Sequence, residues 1–597
     1  MTILILDTGV DLSHPAFSKM NNIVQGRISK DLATKKFVCE YGKAGKDYNG
    51  HGTAITYLIA KNRPQDRIIS LQIGTEDAKA DDIYLLEILK FVEINIVCDI
   101  INLSVCVLNA RYIDEMTQIC RRLYKKGIYM VSSFDNDGRM SFPASIPYVI
   151  GVDITPNSYS AKDYFWIENS VVNVRCGIGK QRLPWLNSTM KSLEGSSFCT
   201  PHIVNKLAEG IEKFGKDKEK LIMYMKENSL SVIVMEQDEK EEIESHIENV
   251  IIFPYNKEMY NIIKFADKIR ITGIYDIKGR GKIGKNIEIN DDKIIYIQDW
   301  ENINWKADFD TVILGHIRII ENVCKKRIAE KILENAKKNN KRVYMFDMLL
   351  ENELVWREII LTPYEIGKVN YNKNFGKLYR VKTPVLGVVG TSSMQGKFNL
   401  QLQIKRKFED NNYTVGHIGT EPSSYFVGAD EIFPYGFNSG IHLSPLQIIY
   451  HINYLIHKIE QKKRDIILFG CQSNLVHSCY GNVRFYPAHQ YEILAGSDPD
   501  LIVMCFNYGD NLDYIQKNIN YITVVTRAEI IGLVLYPFKK QFMYNEVNMV
   551  PKEKCTFEEI REKKRKICEE TGYPVYCLTD DEDIDKLHRE IVRFFSR

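Results

Sequence analysis

The sequence predicts an α/β protein built from several parallel-sheet domains, and three observations carry that reading. Short apolar runs that stop at a turn residue recur along the chain, and between them lie stretches with apolar residues at three- and four-residue steps. Alternation of strand and helix builds a parallel sheet with helices on both faces. A chain of 597 residues is also too long for a single core.

In residues 1–213 the strands read as TILILD, RIISLQI, DIINLSV, GIYMVSS and YVIGVDI, with HGTAITYLIAKN and DIYLLEILKFVEIN as helices. Residues 214–247 turn lysine- and glutamate-rich (KFGKDKEK, EQDEKEEIESHIE) and are expected to form a charged linker with solvated helical pieces. A second α/β region starts at VIIFPY (250–255) and continues through TVILGHIRII, ENVCKKRIAEKILENAKK and RVYMFDM. A third starts near Pro384 with VLGVVG and runs through DIILFG and LIVMCF to the helix DEDIDKLHREIVRFF. The expected divisions are 1–213, the linker 214–247, 248–375 and 376–597, with no internal repeat.

Composition excludes several classes. The apolar fraction of 45% and charged fraction of 26% are those of a globular protein. A net charge of +2 gives no bulk attraction to nucleic acid or to a membrane surface. No apolar run reaches the ~18 residues of a membrane span, and MTILILDTGVDLSHP lacks the basic start and cleavage site of a signal peptide. Thirteen cysteines with no CxxC pair point to reduced thiols in a cytoplasmic protein, and no metal site is indicated.

Three segments carry a nucleophile, a base and a carboxylate. ILDTGVDLSHP places Asp7 at the end of a buried strand, and NGHGTAITYLIA places His51 at the start of an amphipathic helix. EGSSFCTPHIVNKLAEGI places Ser197 at another helix start, with Pro201 in the first turn where a missing N–H costs little. The chemistry needs a hydroxyl to attack, a base to take its proton, and a buried carboxylate to fix the base's tautomer. A fourth segment, YMVSSFDNDG, ends a strand in a turn that carries Asn136.

The order Asp…His…Ser, with these four segments on their strand ends and helix starts, resembles the subtilisin-like serine peptidases (subtilases). The resemblance covers about a third of the chain. It implies a triad of Asp7, His51 and Ser197, with the Asn136 amide donating to the oxyanion. It also implies that DIINLSV is an edge strand on which substrate lies as an added strand around Ser104 and Val105. Several residues depart from the family pattern: Phe198 and Cys199 follow the serine, while Cys106 and Asp135 stand where glycines are usual. Asp135 lies beside the expected wall of the pocket for the residue before the cut, where a carboxylate would favour a basic side chain. Asp7 lies so near Met1 that no inhibitory propeptide is expected before it, and the attached domains or a narrow substrate requirement would supply the restraint.

VLGVVGTSSMQGKFNLQLQIKRKF is a strand, a glycine-bounded loop and a helix. Gly390 and Gly396 bracket five residues, and Lys397 follows. Such glycines let backbone N–H groups face an anion, and the lysine reaches the terminal phosphates. The usual motif has four residues between the glycines and a hydroxyl after the lysine; here Phe398 takes that place, and Thr391, Ser392 or Ser393 would supply the oxygen. Asp465, at the start of DIILFG, is a Walker-B-like candidate. GTSSMQGKFNLQLQI, GTEPSSYFVGADEIFP and DIILFGCQSN resemble a little-characterised P-loop family, and residues from 250 resemble its Rossmann-like N-terminal half as found in peptide-maturation proteins. Glu421, Asp430 and Gln472 are further polar candidates in those blocks.

The expected architecture is thus a subtilisin-like domain, a Rossmann-like domain and a P-loop NTPase-like domain. The expected function is removal of a leader from a ribosomally made precursor peptide, in company with peptide-modifying enzymes. No cofactor is expected for the peptidase; ATP or GTP with Mg²⁺ is expected in the C-terminal domain, for recognition or gating. Two alternatives stay open. In one the P-loop half is a kinase- or ligase-like enzyme and the first domain only binds peptide; in the other an ATPase-gated protease acts on general cytoplasmic proteins.

Overall fold

The computed structural model describes every residue except 32–33, 35, 74–80, 109–111, 156–158, 236–246, 267, 290–292, 364–373, 436–440, 442, 479, 482–485, 488, 541–551 and 597. The chain forms two compact units, Met1–Asp238 with Asn372–Lys377, and Glu239–Tyr371 with Leu378–Arg597.

The first unit holds β1 (Thr2–Asp7), β2 (Ile23–Lys30), β3 (Phe37–Tyr41), β4 (Arg67–Gln72), β5 (Ile100–Leu103) and β6 (Tyr129–Ser133). These are followed by β7 (Val149–Thr155), β8 (Tyr164–Glu168), β9 (Val174–Gly177), the hairpin β10 (Gln181–Pro184) and β11 (Met190–Leu193), and β12 (Val232–Val234). Apart from that hairpin they make one sheet in the order β12-β8-β9-β7-β6-β5-β1-β4-β2-β3. From β9 to β2 every neighbour is parallel, while β3 and β8 pair antiparallel.

A central parallel strand is buried on both faces and therefore reads as an unbroken apolar run. In β1 Ile3, Leu4, Ile5 and Leu6 are all fully buried. Ile3 and Ile5 enter a core shared with α1 (His51–Asn62), α4 (Thr200–Phe214) and α5 (Lys218–Glu227). Leu4 and Leu6 enter the opposite core, with α2 (Asp82–Asn95) and α3 (Ile113–Lys125). Each such side chain contributes about 1.5–3 kcal/mol on burial.

Two expectations change here. The stretch from 214 was expected to be a solvated linker, yet α5 buries Leu221, Tyr224 and Met225, and β12 pairs with β8, Val232 opposite Trp166. Apolar positions spaced through the lysines were enough to dock it; residues 236–246 lie outside the described residues. DIINLSV was expected to be an edge strand, but β5 lies between β1 and β6, and Ser104 and Val105, past its end, carry no strand pairing.

Four described residues from far along the chain complete this unit. Lys377 is buried with its Nζ 2.8 Å from Asp153 Oδ2 and 5.1 Å from the Phe134 ring centroid. Asn374 Oδ1 accepts from Ser170 Oγ (3.0 Å) and the Val171 N–H (3.2 Å), and the Arg175 guanidinium lies over the Phe375 ring.

The second unit holds two sheets. The first comprises β13 (Asn249–Phe253), β14 (Arg270–Asp276), β15 (Asn286–Ile289), β16 (Lys293–Asp299), β17 (Thr311–Leu314), β18 (Arg342–Met345) and β19 (Ile360–Leu361), in the order β15-β16-β14-β13-β17-β18-β19. Leaving aside the antiparallel β15, this is a doubly wound order with its switch point between β13 and β17. The second comprises β20 (Val385–Gly390), β21 (Val415–Gly419), β22 (Glu431–Ile432), β23 (Ile466–Gly470), β24 (Leu501–Asn507) and β25 (Glu529–Tyr536). The short hairpin β26 (Phe538–Lys540) and β27 (Lys552–Lys554) stands apart, and β28 (Val575–Cys577) completes the sheet as β22-β21-β23-β20-β24-β25-β28, all parallel.

These sheets were expected to stand as two domains, but they share one unit. Tyr344 of β18 packs against Phe426, ring centroids 4.7 Å apart, and its hydroxyl donates to the Pro422 carbonyl at 3.1 Å. Phe426 belongs to the first sheet's apolar core although it follows β21 of the second.

Candidate active site

Parallel strands bring their carboxyl ends to one edge, and β6-β5-β1 are consecutive in the first sheet. Asp7 therefore ends β1, Ser104 follows β5, and Asn136 follows β6, all on the same rim. Asp7 is fully buried; its Oδ1 accepts from the Thr8 N–H at 2.8 Å and faces His51 Nδ1 at 2.7 Å. Its Oδ2 has no partner among the described residues.

His51 is the first residue of α1, and the cap before it is Gly50 at φ +102°. A side chain there would strain the backbone and drive its Cβ to 2.4 Å from the Trp185 indole, so only glycine fits. Asp47, which the sequence reading passed over, ties down this helix start. Its Oδ1 accepts from the N–H groups of Asn49 (2.8 Å) and Gly50 (2.9 Å), and its Oδ2 from Thr53 N (2.9 Å) and Oγ1 (2.7 Å). Burial alone would lower the His51 pKa, but the charge and hydrogen bond of Asp7 and the charge of Asp47 outweigh it and hold it above the ordinary value.

Ser197 lies in the helical turn Ser196–Phe198 that leads into α4. Its Oγ donates to the Ser104 carbonyl at 3.3 Å and lies 3.4 Å from Ser133 Oγ; no hydrogen bond joins it to His51. The His51 ring packs against Phe198, centroids 5.1 Å apart, which sets base and nucleophile in adjoining turns. Catalytic hydrogen bonds often tighten only with substrate present.

Asn136 Oδ1 accepts from the Ser196 N–H at 2.9 Å and lies 3.0 Å from Ser196 Oγ, which is also 2.6 Å from the Phe134 carbonyl. With the amide oxygen held by protein, the NH2 group is the part left to donate. Gly195, at φ +134°, passes so close that a Cβ would lie 3.0 Å from that oxygen. Ser104 Oγ receives a hydrogen bond from Asn102 Nδ2 (3.0 Å) and lies 2.9 Å from Thr200 Oγ1, joining the chain beyond β5 to the start of α4. Val105 follows, half-buried against the α2–α3 core.

Asp135 is not an open carboxylate. Arg139 Nε and Nη2 donate to its two oxygens at 2.9 and 3.0 Å, and the Asp137 N–H donates at 3.0 Å. Burial would raise this carboxyl, and the Arg139 guanidinium overrides that to hold it below the usual carboxylate range.

In the second unit, Gly390 ends β20 and Lys397 opens the helix Lys397–Asp410, as the motif requires, with Gly396 at φ +79° as the cap. Lys397 Nζ donates to the carbonyls of Ser392 (2.6 Å) and Ser473 (2.9 Å). Thr391 Oγ1 donates to Asp510 Oδ2 at 2.5 Å, and Asn507 Nδ2 donates to Ser392 Oγ at 2.7 Å. Gln395 is fully buried inside the loop, and its Oε1 takes the Ser392 N–H at 3.3 Å.

Asp465 is elsewhere. It precedes β23 and accepts from Thr414 N and Oγ1, both at 2.7 Å, at the amino edge of the sheet. In a parallel sheet that is the edge opposite the loop; Asp510, just past the end of β24, is the carboxylate beside it. Of the other candidates, Asp430 pairs with Arg464 (2.7 Å) and Lys462 (3.3 Å). Gln472 donates to the Thr420 carbonyl and adjoins Ser473, the Lys397 acceptor. Glu421 caps the turn Pro422–Val427 beyond β21.

Two family models each match a part of this chain. Residues 1–238 match the subtilase family, and residues 373–587 match the P-loop domain of a domain of unknown function, DUF1611_C. No curated protein matches the chain. Among solved structures it is similar to a cold-adapted subtilisin-like serine proteinase, at 17% identity over 39% of this chain and 83% of that one, TM-score 0.32. An S41 psychrophilic protease is similar at 16% identity over 39% and 85%, TM-score 0.32. A DUF1611 family protein from Anabaena variabilis is similar at 12% identity over 58% of this chain and 99% of that one, TM-score 0.42. No helix of the described residues is long and apolar enough to cross a membrane.

Proposed function

We propose that the first unit is a serine endopeptidase that removes the leader of a ribosomally made precursor peptide, and that the second unit binds a nucleotide to recognise the peptide or gate its cleavage. The observation that carries the peptidase reading is the 2.7 Å bond from the buried Asp7 carboxylate to His51 Nδ1, beside Ser197. That bond fixes the tautomer with Nε2 free to act as base. His51 takes the Ser197 proton as Oγ attacks the peptide carbonyl, and Asn136 Nδ2 with the Ser197 N–H binds the oxyanion. The imidazolium returns its proton to the leaving amine. Water, deprotonated by His51, then cleaves the acyl ester and restores Ser197.

The substrate class and its peptide-modifying partners rest on the resemblance of residues 250–540 to peptide-maturation proteins. The nucleotide rests on the loop itself. Lys397 and the backbone N–H groups of 391–396 would hold its phosphates, and a Cβ at Gly390 would collide with Gln395 at 2.0 Å. The bound phosphates would supply binding energy and a switch, with ATP or GTP and Mg²⁺ as the class. Thr391 and Asp510, hydrogen-bonded to each other, would hold the Mg²⁺ ion, and Gln395 would have to leave the Ser392 N–H for a phosphate to take it.

The test is hydrolysis of candidate precursor peptides by the full chain, with and without ATP or GTP. Cleavage lost in Ser197→Ala and changed by nucleotide except in Lys397→Ala is the expected result. Cleavage that persists in Ser197→Ala rejects the peptidase assignment, and indifference to nucleotide rejects the gating half.

A further inference from the structure

We infer that the peptidase cuts after glycine or alanine, because Cys106 and Met140 fill the slot that must take the side chain before the cut. The inference rests on the peptidase reading and adds its substrate class. With the carbonyl carbon at Ser197 Oγ and its oxygen toward Asn136, that side chain has one place to go. It enters between the chain leaving β5 at Ser104 and the chain leaving β6 at Phe134–Asn136.

Three features close that slot. Val107 and Phe142 exchange both backbone hydrogen bonds, at 3.0 and 2.9 Å, so the two walls join three residues beyond Ser104. Ser141, fully buried, accepts the Asp135 N–H on its Oγ at 3.0 Å, which ties the floor to the wall. Met140 packs against two apolar clusters, the one that holds Val107 and Phe142 and the one that holds Phe134 and Ala144, and so lies between the walls.

Cys106 adds a side chain on the strand side. It is half-buried and sits between Ser104, whose carbonyl takes the Ser197 hydroxyl, and Val107, where the two walls join. Burial first, and then the Asp135 charge, push that thiol up, so it stays neutral and serves as bulk. The Arg139 pair occupies the Asp135 carboxylate, which would otherwise receive lysine or arginine, and over half of the Arg139 side chain is exposed at the rim. On this inference the slot takes a hydrogen or a methyl group.

The experiment uses the full chain and peptidyl diphenyl phosphonates that differ only in the residue mimicking the one before the cut: Gly, Ala, Phe or Lys. A small alkyl fluorophosphonate, which needs no pocket, serves as reference. The Ala and Gly probes are expected to label at least ~10-fold faster than Phe or Lys, the scale of discrimination a misfit in a pocket gives. Cys106→Gly is expected to raise Phe labelling about tenfold with Ala little changed. Cys106→Val, which keeps the thiol's bulk and adds to it, is expected to slow Ala relative to Gly. Equal or faster labelling by Phe or Lys in the unsubstituted chain, with the reference probe reacting, overturns the pocket inference alone. So do ratios unmoved in both variants. Failure of the reference probe to label Ser197 overturns the peptidase reading and this inference with it.

Discussion

His51 and Lys397 occupy matching places in two unrelated sites. Each is the first residue of a helix, and each is preceded by a glycine with positive φ, Gly50 at +102° and Gly396 at +79°. Their partners differ. His51 meets the buried Asp7 carboxylate, while Lys397 donates to two main-chain carbonyls, Ser392 and Ser473. In one site a side-chain carboxylate already holds the base; the other is a loop whose lysine and Gln395 would have to exchange partners to hold an anion. Preorganisation is the feature that catalysis of bond cleavage requires and that a binding switch does without.

That contrast can be broken in graded ways. Removing the oxyanion donor with Asn136→Ala is expected to cost ~10²–10³ in kcat with little change in KM, read from steady-state hydrolysis. Truncating the buried cation with Lys377→Met leaves Asp153 without its closest partner. Loss of about 3 kcal/mol from the first unit is expected, seen as a lowered unfolding midpoint in denaturant. An unchanged midpoint would mean that residues 374–377 lie on this unit without stabilising it.

Asp47→Asn is expected to cost about 1 kcal/mol as a weakened cap, and to move the acid limb of the pH–rate profile downward. The sign follows from His51, which must be neutral to act as base and whose pKa is held above the ordinary 6.5. Activity therefore falls as pH drops through that raised value, and loss of the Asp47 charge lowers it. The same shift makes protonated His51 favour the native state at low pH, a contribution lost as pH rises through the folded-state value. The smallest effect is expected from Lys397→Ala, which should leave labelling of Ser197 unchanged in the absence of nucleotide. A drop there would show that the second site supports the first even without a ligand.

The same contrast governs what was legible in the sequence. Asp7, His51 and Ser197 could be placed because a strand end and a helix start are local signals, carried by residues within a few positions. Gly390, Gly396 and Lys397 were legible for the same reason. Asp465 was misplaced because the strand it opens is parallel to β20, so its start lies at the far edge; strand direction, not the Asp-containing run, decides the matter. Asp47 was within reach, as an acid four residues before a helix-opening histidine. The Asp135–Arg139 pair and the Met140 plug were not, since loop path decides whether an acid is open or taken. Nor was Lys377–Asp153, which joins residues 224 positions apart. Charge content misled at 214–235, where a few apolar positions outweighed the lysines around them.

The central claim is that Ser197 is an activated nucleophile, and mass mapping of the full chain after treatment with an alkyl fluorophosphonate tests it most directly. The account expects one adduct, on the peptide containing Ser197, absent in Ser197→Ala and formed faster as pH rises through the raised His51 value. No adduct at any pH, or an adduct on another residue that survives in Ser197→Ala, would contradict it.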